Sequence, residues 1–457
     1  MNCLSGETDR LIRNDMLLCT APNPSPIQEQ RTTRSGIGLL STIFLIVNAT
    51  LGAGLLNFPQ AFDKAAGVAA SIIVQLVLLI FITAALVILA KCSDITNTST
   101  MQNMFAEFYG HRSLFFCALC VTVYSFGCCL TFIIIVGDQF DRVLVTYYGI
   151  NYCHTWYLSR PFVTAVSCSI FILPLCFFKK LDVLSYTSSV GCVTILYVIS
   201  LIVYKNYTKI EPPVNPMKIW PDNGYETLQI IPIICFAYQS HMTAIPMYAC
   251  MKDRNVEKFT ICAAVSMIIC FAAYTVVGIY GYATFGAGNV PSDILQGYTD
   301  KSVILTLAII FIAIKNFTTY PIVLYCGRDA LLSIFGMDVN VTVKCRVFIT
   351  LTWYILSLAL AILVPDISPV INLLGGLSAA FIFIFPGISL FQSILLKDSE
   401  LHLNKDRLLI FFAIFITALG AFASGVVSVA VVRDLYQTPE KTPLVTGFRQ
   451  LRQSLCT

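Results

Sequence analysis

Charge is what this chain has least of. Asp, Glu, Lys and Arg make up 12% of its 457 residues, about half the share usual in soluble domains. The 29 basic and 25 acidic residues leave a net charge of +4, which makes neither a nucleic-acid footprint nor an acidic tail. Histidine is scarce as well. His111, His154, His241 and His402 are scattered and no His-Glu-x-x-His pattern occurs, so a membrane enzyme has no visible set of metal ligands or clustered acids. The first 35 residues lack the apolar core of a signal peptide. They are polar, carry Arg10, Arg13, Arg31 and Arg34, include a Pro/Ser stretch from Pro22 to Pro26, and read as a disordered cytosolic tail over 1–35.

What the chain has instead is apolar sequence. Its hydrophobic residues reach 57% with a mean hydropathy of +0.78, more than the interior of one water-facing globule can absorb. A soluble enzyme, a nucleic-acid binder and a disordered scaffold are excluded. The expected solvent is a lipid bilayer. Most of the 18 cysteines sit inside apolar runs, as Cys117, Cys120, Cys128 and Cys129 do, where Cys acts as a small hydrophobe. Cys117 and Cys120 have the spacing of a metal pair, but no second pair or nearby His completes it. Cys153 alone is expected in a folded loop outside the membrane, with no partner in view.

Uncharged stretches long enough to span hydrocarbon begin at Gly36, and eleven are expected. They cover about 36–62, 68–90, 113–136, 161–178, 183–204, 227–250, 259–283, 302–326, 347–364, 367–396 and 408–432. The fold class is therefore an all-α polytopic membrane protein. With the N-terminus in the cytosol, the inner connections collect most of the Lys and Arg, including Lys91, Arg112, Lys179, Lys180, Lys252, Arg254, Lys258, Arg328, Lys344 and Arg346. The opposite side holds Lys64, Arg142, Arg160, Lys205, Lys209, Lys218 and Lys301 ahead of the C-terminal tail. This bias places the C-terminal tail, 433–457, on the outer or lumenal side. The sequon Asn206-Tyr207-Thr208 then falls in an outer loop, 205–226, open to glycosylation. Asp138, Asp141 and Arg142 after the third span, and Asp366 after the ninth, read as solvated charge at helix ends.

Spans one to five (36–204) and six to ten (227–396) form blocks of nearly equal length. An odd number of spans per block makes the two enter the membrane with opposite topology, the inverted-repeat plan of many secondary transporters. The segment 397–432 adds a loop and an eleventh helix. The first span of each block is interrupted. Asn48-Ala49-Thr50-Leu51-Gly52-Ala53-Gly54 is followed by Pro59, and Phe236-Ala237-Tyr238-Gln239-Ser240-His241 by Pro246. Glycine and proline hold helices poorly. Such breaks free main-chain groups that lipid cannot satisfy, and they suit either a binding cavity or close packing through small residues. For His241 three roles fit: a ligand, a proton-sensitive gate, or a neutral packed imidazole. Thr318 and Thr319 offer hard oxygen ligands for a cation, or bond carbonyls one turn back.

The run from Asn48 to Phe62, the Cys235-Phe236 and Gln239-Ser240-His241 segment, Tyr320-Pro321 with Cys326-Gly327-Arg328, and Val364-Pro365-Asp366-Ile367 resemble the sodium-coupled neutral amino acid transporters. This family, systems A and N, lies within the amino acid/polyamine/organocation superfamily. The resemblance implies a LeuT-like 5+5 inverted repeat plus one extra helix, moving neutral amino acids such as glutamine or asparagine. It implies that Gly52, Ala53 and Gly54 meet the substrate carboxylate, and that Phe236, Ala237, Tyr238 and Gln239 meet its amine and side chain. Asn48, Thr318 and Thr319 would hold sodium, the coupling ion, with no other cofactor. The family's disulfide between outer loops has only Cys153 to draw on here.

Lys315 departs from that pattern. A charged amine inside a span is costly, and Lys315 shares a helix face with Thr318 and Thr319. It either replaces or weakens sodium dependence, favouring a proton as the coupling ion, or turns aside into a watery cavity and leaves sodium in place. Two further readings stay open. An amino-acid-sensing receptor would have the same pocket. Glu7 ahead of Leu11-Ile12 matches the pattern that sorting adaptors read on cytosolic tails, which points to an endosomal or lysosomal membrane in place of the plasma membrane; patterns this short also arise by chance.

Overall fold

The computed structural model describes residues 37–148, 155–177, 182–209, 212–298, 301–337, 342–364, 367–396 and 404–436. Glu7, Leu11, Ile12, Cys153 and Asp366 lie outside these described residues. Among them, ten helices are long and apolar enough to cross a membrane, and one bent helix pair makes an eleventh span. That pair is α1 (Leu39–Thr50) and α2 (Gly54–Lys64), which meet at 57°. The second span is α3 (Val68–Thr96), followed by the short α4 (Met101–Tyr109) and the third span, α5 (His111–Tyr148). The fourth and fifth are α6 (Arg160–Phe171), extended by a 3-10 turn at Leu175–Phe177, and α7 (Asp182–Thr208).

The sixth span is again broken, into α8 (Gly224–Leu228), α9 (Ile231–Ala237) and α10 (His241–Ala249). It leads to α11 (Val256–Phe285), the single turn α12 (Ile294–Gly297), α13 (Val303–Ile334) and α14 (Val343–Leu363). The tenth span is α15 (Ile367–Ala379), a π-helical turn at Ala380–Ile384 and α16 (Phe385–Leu395); α17 (Asn404–Tyr436) is the eleventh.

The helix ends follow from local chemistry. Asn255 caps α11 by accepting from the Glu257 and Lys258 amides, and Asp293 caps α12 by accepting from the Leu295 amide, as short polar side chains do best at an N-terminus. Gly110 turns the chain between α4 and α5 at φ 82°, a conformation that costs other residues energy. The segment before α8 does more than connect. Lys218 and Ile219 accept at their carbonyls from the Val68 and Ala69 amides, 3.1 and 3.0 Å away, and so close the first turn of α3.

Burial separates an inner set of spans from an outer one. In its most apolar stretch 78% of the sixth span is buried and 72% of the third, against 28% for the fourth, ninth and eleventh. The outer spans present apolar side chains where lipid would lie. The most extensive contact between any two elements joins α5 to α13, while the first broken span packs on α11 and the α9 part of the sixth packs on α15.

Two expectations are corrected. Asp138, Asp141 and Arg142 are not solvated helix ends: α5 continues past them, and they are 8%, 4% and 2% exposed. Asp138 and Arg142 have polar partners inside the fold. Arg160 at the start of α6 donates to Asp138 at 2.7 Å, and Arg142 donates to the Tyr298 carbonyl. Asn206 lies in the last turn of α7 and not in a loop, its amide oxygen accepting from Thr284 on α11 at 3.4 Å. The run through Tyr207 and Thr208 stays helical while Tyr207 meets Tyr280 of α11.

Candidate functional site: the paired helix breaks

The first break is a tight turn. Leu51 has φ −74° and ψ 79°, and the Gly52 amide bonds back to the Thr50 carbonyl at 2.8 Å, the geometry of an inverse γ-turn. The α-helical ladder stops there, so the carbonyls of Thr50 and Leu51 turn to other partners. Tyr274 of α11 places its hydroxyl 2.8 Å from the Thr50 carbonyl, and Lys315 of α13 donates from Nζ to the Leu51 carbonyl.

The second break has the same partner. The Tyr274 hydroxyl is also 2.8 Å from the Ala237 carbonyl, at the end of α9. One hydroxyl carries one proton, so the two freed carbonyls share it. The Tyr274 ring stacks on Phe58 of α2, with centroids 4.5 Å apart, and packs 5.0 Å from Tyr238. The breaks also touch directly. A Cβ on Gly54 would lie 2.7 Å from the Ala237 Cβ and 2.8 Å from its Cα, so only glycine permits this approach.

Beside the first break lies a small cavity of about 20 Å³, lined by Gly52 and Ala53, Ile135 of α5, Thr194 of α7, and Lys315 and Asn316 of α13, among others. That is room for a single water. Of the residues singled out from sequence, Gly52, Ala53 and Lys315 come together here. Phe236, Ala237, Tyr238, Gln239 and His241 are buried at the second break but do not line the cavity. Tyr238 is anchored away from it, its hydroxyl accepting from Gln75 of α3 at 2.7 Å. His241 is tied on both sides, Nε2 being 3.1 Å from the Ile82 carbonyl and Nδ1 3.2 Å from Gln239 Oε1. Thr318 and Thr319 donate to the Lys315 carbonyl at 2.9 and 2.8 Å, the back-bonding of ordinary membrane threonines.

Four buried polar atoms near the breaks have no partner among the described residues: Asn48 Oδ1, Gln239 Nε2, Ser240 Oγ and Asn316 Nδ2. An orphaned group in a packed interior costs free energy, so a concentration of them marks a place where something polar is accommodated. No charged side chain other than Lys315 lines the cavity.

Both ends of the core are fastened. On one side Asn57 of α2 donates to the Ser292 carbonyl at 2.8 Å, and Ser368 of α15 donates to Gln60 at 2.9 Å. The loop with Ser292 is fixed in turn by Gln139 of α5, which donates to Asp293 at 2.6 Å. Burial, and then the negative charge of Asp138, push the Asp293 carboxyl up to about 7. On the other side Arg254 pairs with Asp94 at 3.0 Å, and the Ile37 amide and carbonyl bond to Cys250 and Lys252 just past α10.

Sequence reasoning did not find Tyr274, Gln75, Asn316 or Thr194. Each is an unremarkable member of an apolar run, and only the packing gives it a role.

Comparison with known proteins shows the family. Residues 35–432 match the family described as transmembrane amino acid transporter protein. The chain is 35% identical to the sodium-coupled neutral amino acid transporter 7 of Mus musculus over 438 residues, covering 92% of this chain and 93% of that one. The human protein of the same name is 35% identical over 439 residues, with the same coverage, and that of Danio rerio 33% over 429 residues, covering 91% of each chain. With its spans, its paired breaks and this match over nearly the whole membrane region, the chain belongs to the transmembrane amino acid transporter family.

Proposed function

We propose that this protein is a secondary transporter that carries neutral L-amino acids, glutamine and asparagine first among them, between the two helix breaks by alternating access. One observation carries the reading: two interrupted spans meet at Gly54 and Ala237, with unpartnered polar atoms of Asn48, Gln239, Ser240 and Asn316 buried around them. Main-chain amides freed at such breaks suit a carboxylate and freed carbonyls suit an amine or a cation. The unpaired amide of Gln239 and the hydroxyl of Ser240 suit the carboxamide of glutamine. The lining holds no acidic group to pair a lysine side chain, and its one cation, Lys315, is engaged at the Leu51 carbonyl, so a neutral substrate is favoured.

In this reading spans one to five and six to ten are the inverted halves, and the eleventh span stands outside them. The relatives' printed names make sodium the first coupling ion to test, and a proton the second. An amino acid sensor would hold the same pocket without moving solute. The Glu7 to Ile12 segment as a sorting signal and an endosomal or lysosomal location belong to the proposal as well.

Uptake of radiolabelled amino acids into proteoliposomes containing the purified protein tests it. Accumulation of glutamine above that of lysine or glutamate is expected. Binding without uptake supports the sensor, and preferential uptake of lysine or glutamate refutes the substrate class.

A further inference from the structure

Lys315 is 8% exposed on α13, and no carboxylate pairs with it among the described residues. The titratable groups around it are the thiols of Cys192 on α7 and Cys270 on α11. Its amine is not directed toward an interface. It reaches across the core to the one carbonyl that the γ-turn at Leu51 leaves for it. Freed carbonyls of a broken membrane helix are the groups that take up a small cation in transporters of this construction. Here a covalently attached nitrogen already donates to one. The neighbouring oxygens fit the same picture: the Thr318 and Thr319 hydroxyl protons are spent on the Lys315 carbonyl, which fixes the turn of α13 that aims the side chain.

We infer that Lys315 is the resident cation of the first helix break, filling the place at the Leu51 carbonyl that a sodium ion would otherwise take. Uptake by this chain therefore does not require sodium at that position. The inference rests on the proposed transport function. It departs from the ion that the relatives' names print, and the sequence marks the place of departure. Two like unit charges about 4 Å apart at the effective dielectric of a protein interior repel strongly enough to weaken binding on the order of 10³-fold. Sodium cannot share this carbonyl with an ammonium. Removing the ammonium reopens it.

The test compares the purified full-length protein with Lys315→Ser in proteoliposomes, measuring glutamine uptake with sodium or with choline as the sole monovalent cation. The wild type is expected to take up glutamine equally in both. Lys315→Ser is expected to lose uptake in choline and recover it in sodium. Thermal unfolding of the detergent-purified proteins gives a second readout, independent of transport. Sodium should leave the wild-type midpoint unmoved and raise that of Lys315→Ser. A wild type that loses uptake in choline, or that sodium stabilises specifically, overturns the inference. So does a folded Lys315→Ser that responds to sodium in neither assay. Should the wild type accumulate no glutamine with either ion, the transport reading fails, while the unfolding midpoints still decide the role of Lys315.

Discussion

Gly54 and Ala237 meet backbone against backbone where the first and sixth spans break, so close that a Cβ on Gly54 would lie 2.8 Å from the Ala237 Cα. The first and sixth spans are joined there by an absent side chain. Gly54→Ala is expected to cost about 1–3 kcal/mol, the usual penalty of overpacking a rigid site, since the atom it meets is main chain and cannot rotate away. Thermal unfolding of the purified variant checks this. A midpoint equal to that of the wild type contradicts it.

Tyr274 is the second joint. Its hydroxyl serves the Thr50 and Ala237 carbonyls together, and Tyr274→Phe keeps the ring stacked on Phe58 while leaving both carbonyls without that donor. The Thr50 carbonyl keeps the Gly52 amide, so a loss of about 1–3 kcal/mol is expected for the Ala237 carbonyl left unsatisfied. Uptake should fall with it, because the same hydroxyl holds the two breaks at a fixed distance. Unchanged unfolding and unchanged uptake would refute this role.

Thr318 and Thr319 give the contrasting case. Their hydroxyls bond within their own helix, so Thr318→Val and Thr319→Val, made singly, are expected to cost less than about 1 kcal/mol and to leave the ion dependence of uptake as it was. A selective loss of sodium response in either variant would show that these oxygens hold an ion.

Asp293 makes stability depend on pH. Its carboxyl titrates near 7 in the folded protein and from 3.8 without the fold, because burial and Asp138 disfavour the charge. Between these values the folded state holds a proton that the unfolded state has released, so stability falls as pH rises through this window and is lowest above 7. Asp293→Asn keeps a capping side chain and removes the charge. It should raise the unfolding midpoint most at pH 8, and progressively less toward pH 4. A gain that is the same at every pH would contradict the assignment.

How much of this was legible in the sequence follows the range of the interactions. The first break was visible because Gly52, Gly54 and Pro59 lie within one short segment and act through local backbone preferences. The second was visible as a polar cluster, though it opens at Tyr238–Ser240, ahead of Pro246. The shared face of Lys315, Thr318 and Thr319 followed from helical periodicity, but what each side chain does there did not. The lysine leaves its helix for Leu51 and the threonines stay on theirs, a difference set by which carbonyl is free in a span far away in sequence. Asp138 and Arg142 misled for the same reason. They look like helix-end charge until Arg160 and the Tyr298 carbonyl are brought beside them. His241, His111, His154 and His402 are alike in the sequence, and only the packing of α3 against α10 fastens the first of them to the Ile82 carbonyl.

If the amino acid binds between the two helix breaks, the first break must open around it. Gly52 tests this most cleanly, since it lines the cavity and a Cβ there would meet nothing closer than the Thr50 carbonyl oxygen at 3.9 Å. Equilibrium binding of radiolabelled glutamine to purified wild type and Gly52→Ala, alongside their unfolding midpoints, is the direct measurement. Saturable binding to the wild type is expected, with affinity weaker on the order of tenfold in Gly52→Ala at an unchanged midpoint. Equal affinity in the two proteins would contradict it.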